Sequence, residues 1–223
     1  MYLSRVEIDT DNRQKIKDLV NLAAYHNWVE QSFPEEIAVG ERRRHLWRID
    51  QLNGRQYLLV LSENQPDKDK LLRYGKGEVT IKDYDHLLSS LHEGQVLQFR
   101  LTANPTRTVS EPGSKQGRVF PHVTVEQQSK WLADRAPKAG FQLEFAESED
   151  DESQNSSSFK IVSRDWPILS NRKSRRVKLS RVSYEGILRI TDVEQFRQTL
   201  MNGIGREKAF GMGLMTVIPV ASR

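Results

Sequence analysis

His45-Leu-Trp-Arg-Ile-Asp50 and Tyr57-Leu-Leu-Val-Leu-Ser62 are two runs rich in aliphatic and aromatic residues, and Asn53-Gly54 lies between them. An Asn-Gly pair is the strongest short-range signal for a two-residue hairpin turn, because both central positions of that turn need positive φ angles. Aliphatic and aromatic runs on either side of such a pair are typical of strands. The sequence therefore predicts a β-hairpin centred on Asn53.

A complete folding unit surrounds this hairpin. The other predicted elements are a strand at residues 2–8, a helix from Thr10-Asp11 to about Phe33, helical patterns at 67–72 and 83–91, and a strand at 96–102. The order β-α-β-β-α-β is that of the ferredoxin-like unit, a four-stranded antiparallel sheet with two helices on one face. We expect this unit to occupy residues 1–106.

A second unit is predicted for residues 107–223, after a segment rich in proline, glycine, serine and lysine. Its predicted elements are a helix capped by Thr124, strands beginning at Phe141 and Phe159, a strand at 182–190, a helix capped by Asp192 and a last strand at 214–219. The order of elements in this second unit is a less regular form of the order in the first unit. The fold class expected from the sequence is α+β, with tandem ferredoxin-like (RRM-like) βαββαβ domains and antiparallel sheets.

Charge and composition narrow the function classes. The chain has 34 Lys+Arg against 30 Asp+Glu, and acid is concentrated in residues 147–152, so the remaining surface is basic and suits a polyanion. A surface laced with salt bridges is the alternative. Cysteine is absent, which excludes disulfides, zinc-thiolate sites and iron–sulfur clusters. We expect a cytoplasmic protein, because the start does not have the pattern of a signal peptide and no apolar run is long enough to span a bilayer.

The five histidines are scattered and show no metal-ligand spacing, and no nucleotide-binding fingerprint is present, so we expect neither a metal nor a cofactor. His26 is the candidate for proton transfer near neutral pH. At about 100° per residue, Leu19, Leu22 and Phe33 project within about 40° of His26 on an unbroken helix. His26 is thus either a core residue or a catalyst, and a catalyst requires the helix to break or its face to border a cleft.

Two basic elements favour nucleic acid as the polyanion. Residues 171–178 hold five cations without an acid, namely Arg172, Lys173, Arg175, Arg176 and Lys178. Arg206 and Lys208 lie in the glycine-rich segment 203–213, where missing side chains would let a phosphate backbone approach the main chain. A solvated loop and a pair of tight turns are the respective alternatives. Arg42-Arg43-Arg44 is a further basic patch. The alternative is that these charges protect the edge of the adjacent strand from pairing with another chain.

Five blocks of the sequence resemble one family. They are Met1-Tyr-Leu-Ser-Arg-Val6, Leu46-Trp-Arg48, Phe99-Arg-Leu-Thr-Ala-Asn-Pro105, Tyr184-Glu-Gly-Ile-Leu188 and the closing Gly-Ile-Gly-x-x-Lys-x-x-Gly-x-Gly-Leu at residues 203–214. In this order, and across the whole chain, they are similar to the CasE family, the CRISPR repeat-processing endoribonucleases of the type I-E Cascade complex.

The resemblance implies an enzyme that binds the stem-loop of each CRISPR repeat and cuts at the 3′ base of the stem without a metal. We expect the protein itself to be monomeric. The implied partners are the repeat or guide RNA and the other Cascade subunits. It places the family's catalytic histidine on His26. The tyrosine often found three residues earlier is replaced by Ala23, so the second catalytic group is expected to be Tyr25, Lys208 or the Ser32 hydroxyl. A non-catalytic subunit that caps the guide RNA, and a scaffold for an acidic protein, remain as alternatives.

Overall fold

The computed structural model describes residues 1–41, 43–110, 117–144, 159–171 and 174–220, with side chains outside the description for residues 170–176. Nine elements come first along the chain. They are β1 (Tyr2–Ile8), α1 (Arg13–Ile16), α2 (Leu22–Gln31), α3 (Pro34–Val39), β2 (Leu46–Leu52), β3 (Arg55–Ser62), α4 (Lys68–Leu71), β4 (Gly75–Asp83) and α5 (Asp85–Ser90).

The first sheet is antiparallel and has the strand order β2-β3-β1-β4. Its central hairpin is the one that the sequence predicts, with Asn53 and Gly54 at φ 50° and 75° between paired strands. Leu58 and Val60 of the hairpin are buried with Val29 of α2 in one core, so α2 covers one face of the sheet. The first ferredoxin-like unit is thereby formed.

The second unit comprises β5 (Val96–Ala103), β6 (Thr106–Val109), β7 (Arg118–Pro121), α6 (Val125–Ala133), β8 (Phe141–Leu143), β9 (Phe159–Asp165), β10 (Ile168–Asn171), β11 (Ser174–Lys178), β12 (Arg181–Ile190), α7 (Val193–Asn202) and β13 (Met215–Pro219). Its main sheet has the order β13-β5-β12-β8, and β9 also pairs with β12. Thr124 and Asp192 cap α6 and α7 as expected. The tandem ferredoxin-like architecture with antiparallel sheets is confirmed.

The assignment of β5 to the first unit is corrected by its pairing. β5 is hydrogen-bonded to β12 and β13 of the second sheet, whereas β4 completes the first sheet beside β1. β4 could not be predicted from the sequence because Gly75 and Gly77 resemble turn signals. In the structure Gly75 is part of the strand, and its lack of a Cβ allows a close approach to Val6. An edge strand can also remain largely polar. β5 thus belongs to the second sheet, although it lies before the predicted division at residues 106 and 107.

The single helix predicted from Thr10 to Phe33 is also corrected, because the segment forms two helices. Asn12 caps α1, and its side chain accepts a hydrogen bond from the Lys15 N–H. Asn21 caps α2 by accepting from the Ala24 N–H at 3.1 Å. The interruption lies between Ile16 and Leu22, so α2 passes through His26 without a break.

Arg48 joins the two units. Its side chain is 2% exposed. From β2 it donates to the carbonyls of Arg100 and Leu214 at 2.8 and 3.0 Å and to the Thr216 hydroxyl at 2.8 Å. Asp50 receives two more hydrogen bonds from the same guanidinium, both of 2.7 Å. These contacts tie the edge of the first sheet to β5 and β13.

Within the described ranges, no helix is both long and apolar enough to cross a bilayer.

Candidate active site

Helix α2 places His26 at the margin of its buried face. Leu22, Trp28 and Val29 are buried, and the Trp28 indole N–H donates to the Leu71 carbonyl at 3.2 Å, which fixes the helix against α4. The side chain of His26 is 35% exposed. Because His26 also lines an open cleft, this face of α2 borders a cleft without a break in the helix, as a catalytic His26 requires.

The glycine-rich segment brings Lys208 to the same place. Lys208 begins a single 3₁₀ turn, Lys208–Phe210, and the Phe210 ring lies edge-on to the His26 ring with centroids 6.0 Å apart. Glu207 precedes this turn with φ 60°, a left-handed conformation that is uncommon for a residue other than glycine. Strained backbone of this kind concentrates at functional sites.

Packing against Trp47 fixes the segment. The Trp47 indole N–H donates to the Ala209 carbonyl at 3.1 Å. At Gly211, whose φ is 76°, a Cβ would lie 2.6 Å from the Trp47 ring, so only glycine fits. The two ends of the loop are joined by a hydrogen bond from the Ile204 N–H to the Gly213 carbonyl, 2.9 Å long. The glycines thus form tight turns, and those turns present Lys208 to the cleft.

His26, Arg44, Arg206 and Lys208 line one open cleft of about 730 Å³. The remaining lining residues are Glu30, Arg43, His45, Gly205, Glu207 and Ala209. Across the described ranges, no carboxylate forms a salt bridge with Arg44 or Arg206, and both side chains are exposed. Burial, and then the charge of Arg44, lower the pKa of Lys208 from its ordinary value. An imidazole therefore faces cations that a bound anion would neutralise.

A partly exposed carboxylate, Glu30, and a buried imidazole, His45, lie behind His26, and sequence reasoning missed both. Glu30 Oε1 is 3.0 Å from His45 Nδ1 and 3.8 Å from His26 Nδ1. His45 Nε2 lies 3.3 Å from Glu36 Oε2, and Phe33 stacks on the His45 ring at 3.8 Å. The signal for Glu30 was its i, i+4 spacing from His26. His45 had no local signal, because it only begins a strand.

Tyr25 and Ser32 lie elsewhere. The Tyr25 ring stacks on Trp47 at 6.0 Å and lines a second cleft, of about 850 Å³, with Arg48 and Arg181. Burial raises the pKa of Tyr25, and Arg181 partly opposes the rise. Ser32 is buried and donates to the Trp28 carbonyl at 2.9 Å. Of the three expected second groups, the structure brings Lys208 alone into the cleft of His26.

The basic run is partly described. Arg172 and Lys173 lie outside the described residues, as does Arg42. Arg175 and Arg176 belong to β11 by their backbone, and their side chains are outside the description. Lys178, at the end of β11, is exposed, with its ammonium 5.2 Å from the centre of the Trp166 ring. β10 and β11 pair as a hairpin that is separate from the two large sheets.

No group of three His, Cys, Asp or Glu side chains in the described part of the chain could hold a metal ion.

Comparison with known proteins decides the family. The model of a family described as CRISPR associated protein matches residues 1–219. The chain belongs to this family. Within it, the chain is 27% identical over 225 residues to the CRISPR-associated endoribonuclease Cse3 of Thermus thermophilus, and the match covers 98% of this chain and 100% of the relative.

Solved structures of this family extend the likeness to the fold. CRISPR endoribonuclease Cse3 bound to a 19-nucleotide RNA superposes with a TM-score of 0.78 at 25% identity, covering 98% of this chain and 100% of that one. Cas6e of Escherichia coli K-12 has the same fold, with a TM-score of 0.64 at 22% identity, covering 99% and 100%. The alignment leaves no large part of this chain unmatched.

Proposed function

We propose that this chain is a CRISPR precursor-RNA endoribonuclease that binds the repeat stem-loop and cuts at the 3′ base of the stem. One observation carries the proposal. His26 shares a cleft with Lys208, Arg206 and Arg44, and no carboxylate of the described residues forms a salt bridge with either arginine. The homology to Cse3, an endoribonuclease whose structure has been solved with RNA bound, supports the same assignment.

The proposed reaction is attack of a ribose 2′-oxygen on the adjacent phosphorus. A P–O bond forms as the bond to the 5′-oxygen of the next nucleotide breaks, the 2′-hydroxyl loses its proton and the leaving oxygen gains one. The products are a 2′,3′-cyclic phosphate and a 5′-hydroxyl. His26 serves as base toward the 2′-hydroxyl or as acid toward the 5′-oxygen, a role typically worth about 10² to 10⁴ in rate.

Lys208 is assigned to the phosphate. Its ammonium, held half-buried on a fixed turn, would stabilise charge that develops on the phosphoryl oxygens. Arg206 and Arg44 at the same cleft would neutralise neighbouring phosphates. Because an imidazole and fixed cations can supply both proton transfer and charge stabilisation, we propose that the reaction needs no metal.

The β10–β11 hairpin is assigned to the RNA stem. In the sequence, the basic run Arg172, Lys173, Arg175, Arg176 and Lys178 begins directly after β10 and ends with the last residue of β11. A-form RNA has a deep, narrow major groove, so such a run would contact mainly phosphates. We propose that the protein itself is a monomer and acts in the cytoplasm. We also propose that it keeps its product as a subunit of Cascade, since a protein of the same fold occurs in a CRISPR RNA-guided surveillance complex.

The test is cleavage of the protein's own repeat RNA in EDTA, with wild type beside His26→Ala and with both product ends mapped. We expect wild type to cut once, leaving a 5′-hydroxyl, and His26→Ala to bind with nearly unchanged affinity but not to cut. Binding without cutting by wild type would favour the guide-capping subunit. Cleavage that requires a divalent ion would refute the metal-independent step. Equal loss of binding and cutting in His26→Ala would make His26 structural.

A further inference from the structure

The cluster of Glu30, His45 and Glu36 behind His26 is the feature that the proposed reaction leaves unused. Glu30 lies one helical turn after His26 and presents Oε1 to Nδ1 of His26 and to Nδ1 of His45. His45 has only 2% of its side chain exposed, and Glu36 has 7%. A buried polar group is costly unless it is hydrogen-bonded, and Glu30, whose side chain is 25% exposed, is the hydrogen-bond partner of the buried His45 Nδ1.

Each member of the cluster is held from a different element. His45, which immediately precedes β2, stacks on the Phe33 ring, with Glu30 3.0 Å from its Nδ1 and Glu36 3.3 Å from its Nε2. Glu36 on α3 accepts from the Asn64 amide at 2.9 Å and from the Arg43 backbone N–H at 3.3 Å. An ionised carboxylate only accepts hydrogen bonds, so with Glu30 ionised the 3.0 Å hydrogen bond is donated by His45 Nδ1. Glu30 therefore keeps its position and its acceptor oxygen.

The His26 ring has two unlike edges. Its Nδ1 is buried and has no hydrogen-bond partner among the described residues, although Glu30 Oε1 is 3.8 Å away. The side chain as a whole is 35% exposed and lines the cleft. The ring thus meets the cleft by the edge away from Nδ1. Catalytic hydrogen bonds are often long without substrate and shorten in the complex.

We propose that Glu30 is a positioning residue that fixes His26 in the tautomer with hydrogen on Nδ1 and turns Nε2 toward the RNA, with His45 as the buried anchor of Glu30. The inference rests on the proposed function of the cleft. A carboxylate that accepts from one ring nitrogen decides which nitrogen of a neutral imidazole exchanges protons. His26 would then accept the 2′-hydroxyl proton at Nε2, and Nδ1–H would remain directed at Glu30.

The first measurement is the ¹⁵N spectrum of the His26 ring in the wild-type protein, at a pH where the ring is neutral. We expect the Nδ1–H tautomer to dominate in wild type and to lose its dominance in Glu30→Ala. Glu30→Gln retains an acceptor oxygen and should restore it. Glu35→Ala, which removes an exposed carboxylate from the neighbouring helix, is the matched control and should leave it unchanged. Dominance of the Nε2–H tautomer in wild type overturns the proposal, whatever the variants do.

The second measurement is single-turnover cleavage with RNA affinity beside it. Glu30→Ala should cut about tenfold to hundredfold more slowly with unchanged affinity, part of the range for acid–base help. His45→Leu should behave alike, and His45→Asn, whose amide can donate from nearly the same point as Nδ1, should recover most of the rate. Melting curves identify any variant that does not fold. In that case the tautomer seen in the wild-type spectrum decides whether the proposal stands.

The two proposals fail separately. The tautomer is read without cleavage, so an Nε2–H spectrum in an enzyme that depends on His26 defeats only the role of Glu30. An Nδ1–H spectrum in a protein whose His26→Ala variant cuts normally defeats only the catalytic role of His26. Equal cleavage rates in Glu30→Ala and Glu35→Ala would defeat the positioning role even if the tautomer is as expected.

Discussion

Helix α2 separates two clefts that contain several arginines each and differ in how those arginines are paired. In the cleft of Tyr25, Arg48 pairs with Asp50, Arg100 with Glu185 and Arg181 with Asp165. In the cleft of His26, Arg43 pairs with Glu63, while no carboxylate in the described part of the chain forms a salt bridge with Arg44 or Arg206. The number of arginines is similar, and the pairing distinguishes the clefts.

The difference separates arginines that are paired within the fold from exposed arginines that form no salt bridge with a described carboxylate. Arg48 shows the first kind, because its hydrogen bonds end on Asp50 and on backbone groups of the second unit. Arg206 shows the second kind, since it is exposed on a turn fixed by Trp47. A basic composition alone would not have told them apart. The cleft proposed to bind RNA is the one in which positive charge remains after the internal pairs are counted.

The largest effect expected from this comparison is on stability. Arg48→Ala should lower the free energy of unfolding by about 3 to 5 kcal/mol, because Asp50 and two buried carbonyls lose their donor. Arg44→Ala should change it by less than about 0.5 kcal/mol, as is usual for exposed positions. Urea denaturation of both variants measures the contrast. A similar loss for the two would mean that pairing does not distinguish the clefts.

The next effect is on cleavage. Lys208→Ala should slow single-turnover cleavage about 10² to 10³-fold, the loss typical when one group that stabilises developing charge is removed. Tyr25→Phe is the control from the other cleft and should cut within about twofold of wild type, since its hydroxyl does not line the cleft of His26. Quenched-flow rates with saturating protein test both. A large loss of cleavage rate in Tyr25→Phe would mean that Tyr25 takes part in the reaction.

Local sequence signals predicted the elements they directly encode. The Asn53-Gly54 hairpin and the caps at Thr124 and Asp192 are present as expected, because a turn or a cap depends on a few adjacent residues. The strand β4 was missed because glycine and exposed charge hid an edge strand. The partners of β5 were missed because β12 and β13 lie far away in sequence, and a period-two pattern does not say with which strand it pairs.

The candidate site divides in the same way. His26 and Lys208 were named from sequence, yet their meeting depends on a turn packed against Trp47, which no spacing reveals. Tyr25, adjacent to His26, points into another cleft because successive residues on a helix are about 100° apart. His45 was invisible, since its role depends on burial between two carboxylates. Tertiary packing, and not residue type, selected the members of the site.

A smaller effect concerns salt. Binding of the repeat hairpin should weaken as salt rises, and replacing Arg44 and Arg206 together by alanine should reduce the slope of log Kd against log salt by roughly two if each neutralises one phosphate. Arg43→Ala is the matched control, because Glu63 and Glu41 already pair with Arg43. Filter binding over a salt series measures the slopes. An unchanged slope in the double variant would place the RNA elsewhere.

The smallest effect is on the pKa of Lys208. Burial is the larger cause of its lowered pKa, and the charge of Arg44 is the second. Arg44→Gln should therefore raise this pKa while leaving it below the ordinary value for lysine, and Arg43→Gln should not change it, because that charge is balanced by Glu63. The Lys208 side-chain carbon shift, followed through an alkaline NMR titration, reports the change.

The sign of the effect on stability follows from the same shift. Lys208 in the folded chain releases its proton at lower pH than in the unfolded chain, so the stability it costs is greatest below the folded pKa and is recovered as pH rises toward the unfolded value. Arg44→Gln should lessen that cost. A bound phosphate would lessen it as well, because an anion favours the charged amine. If RNA instead lowered the pKa of Lys208, the ammonium would not face the phosphate, and its assignment to the reaction would be wrong.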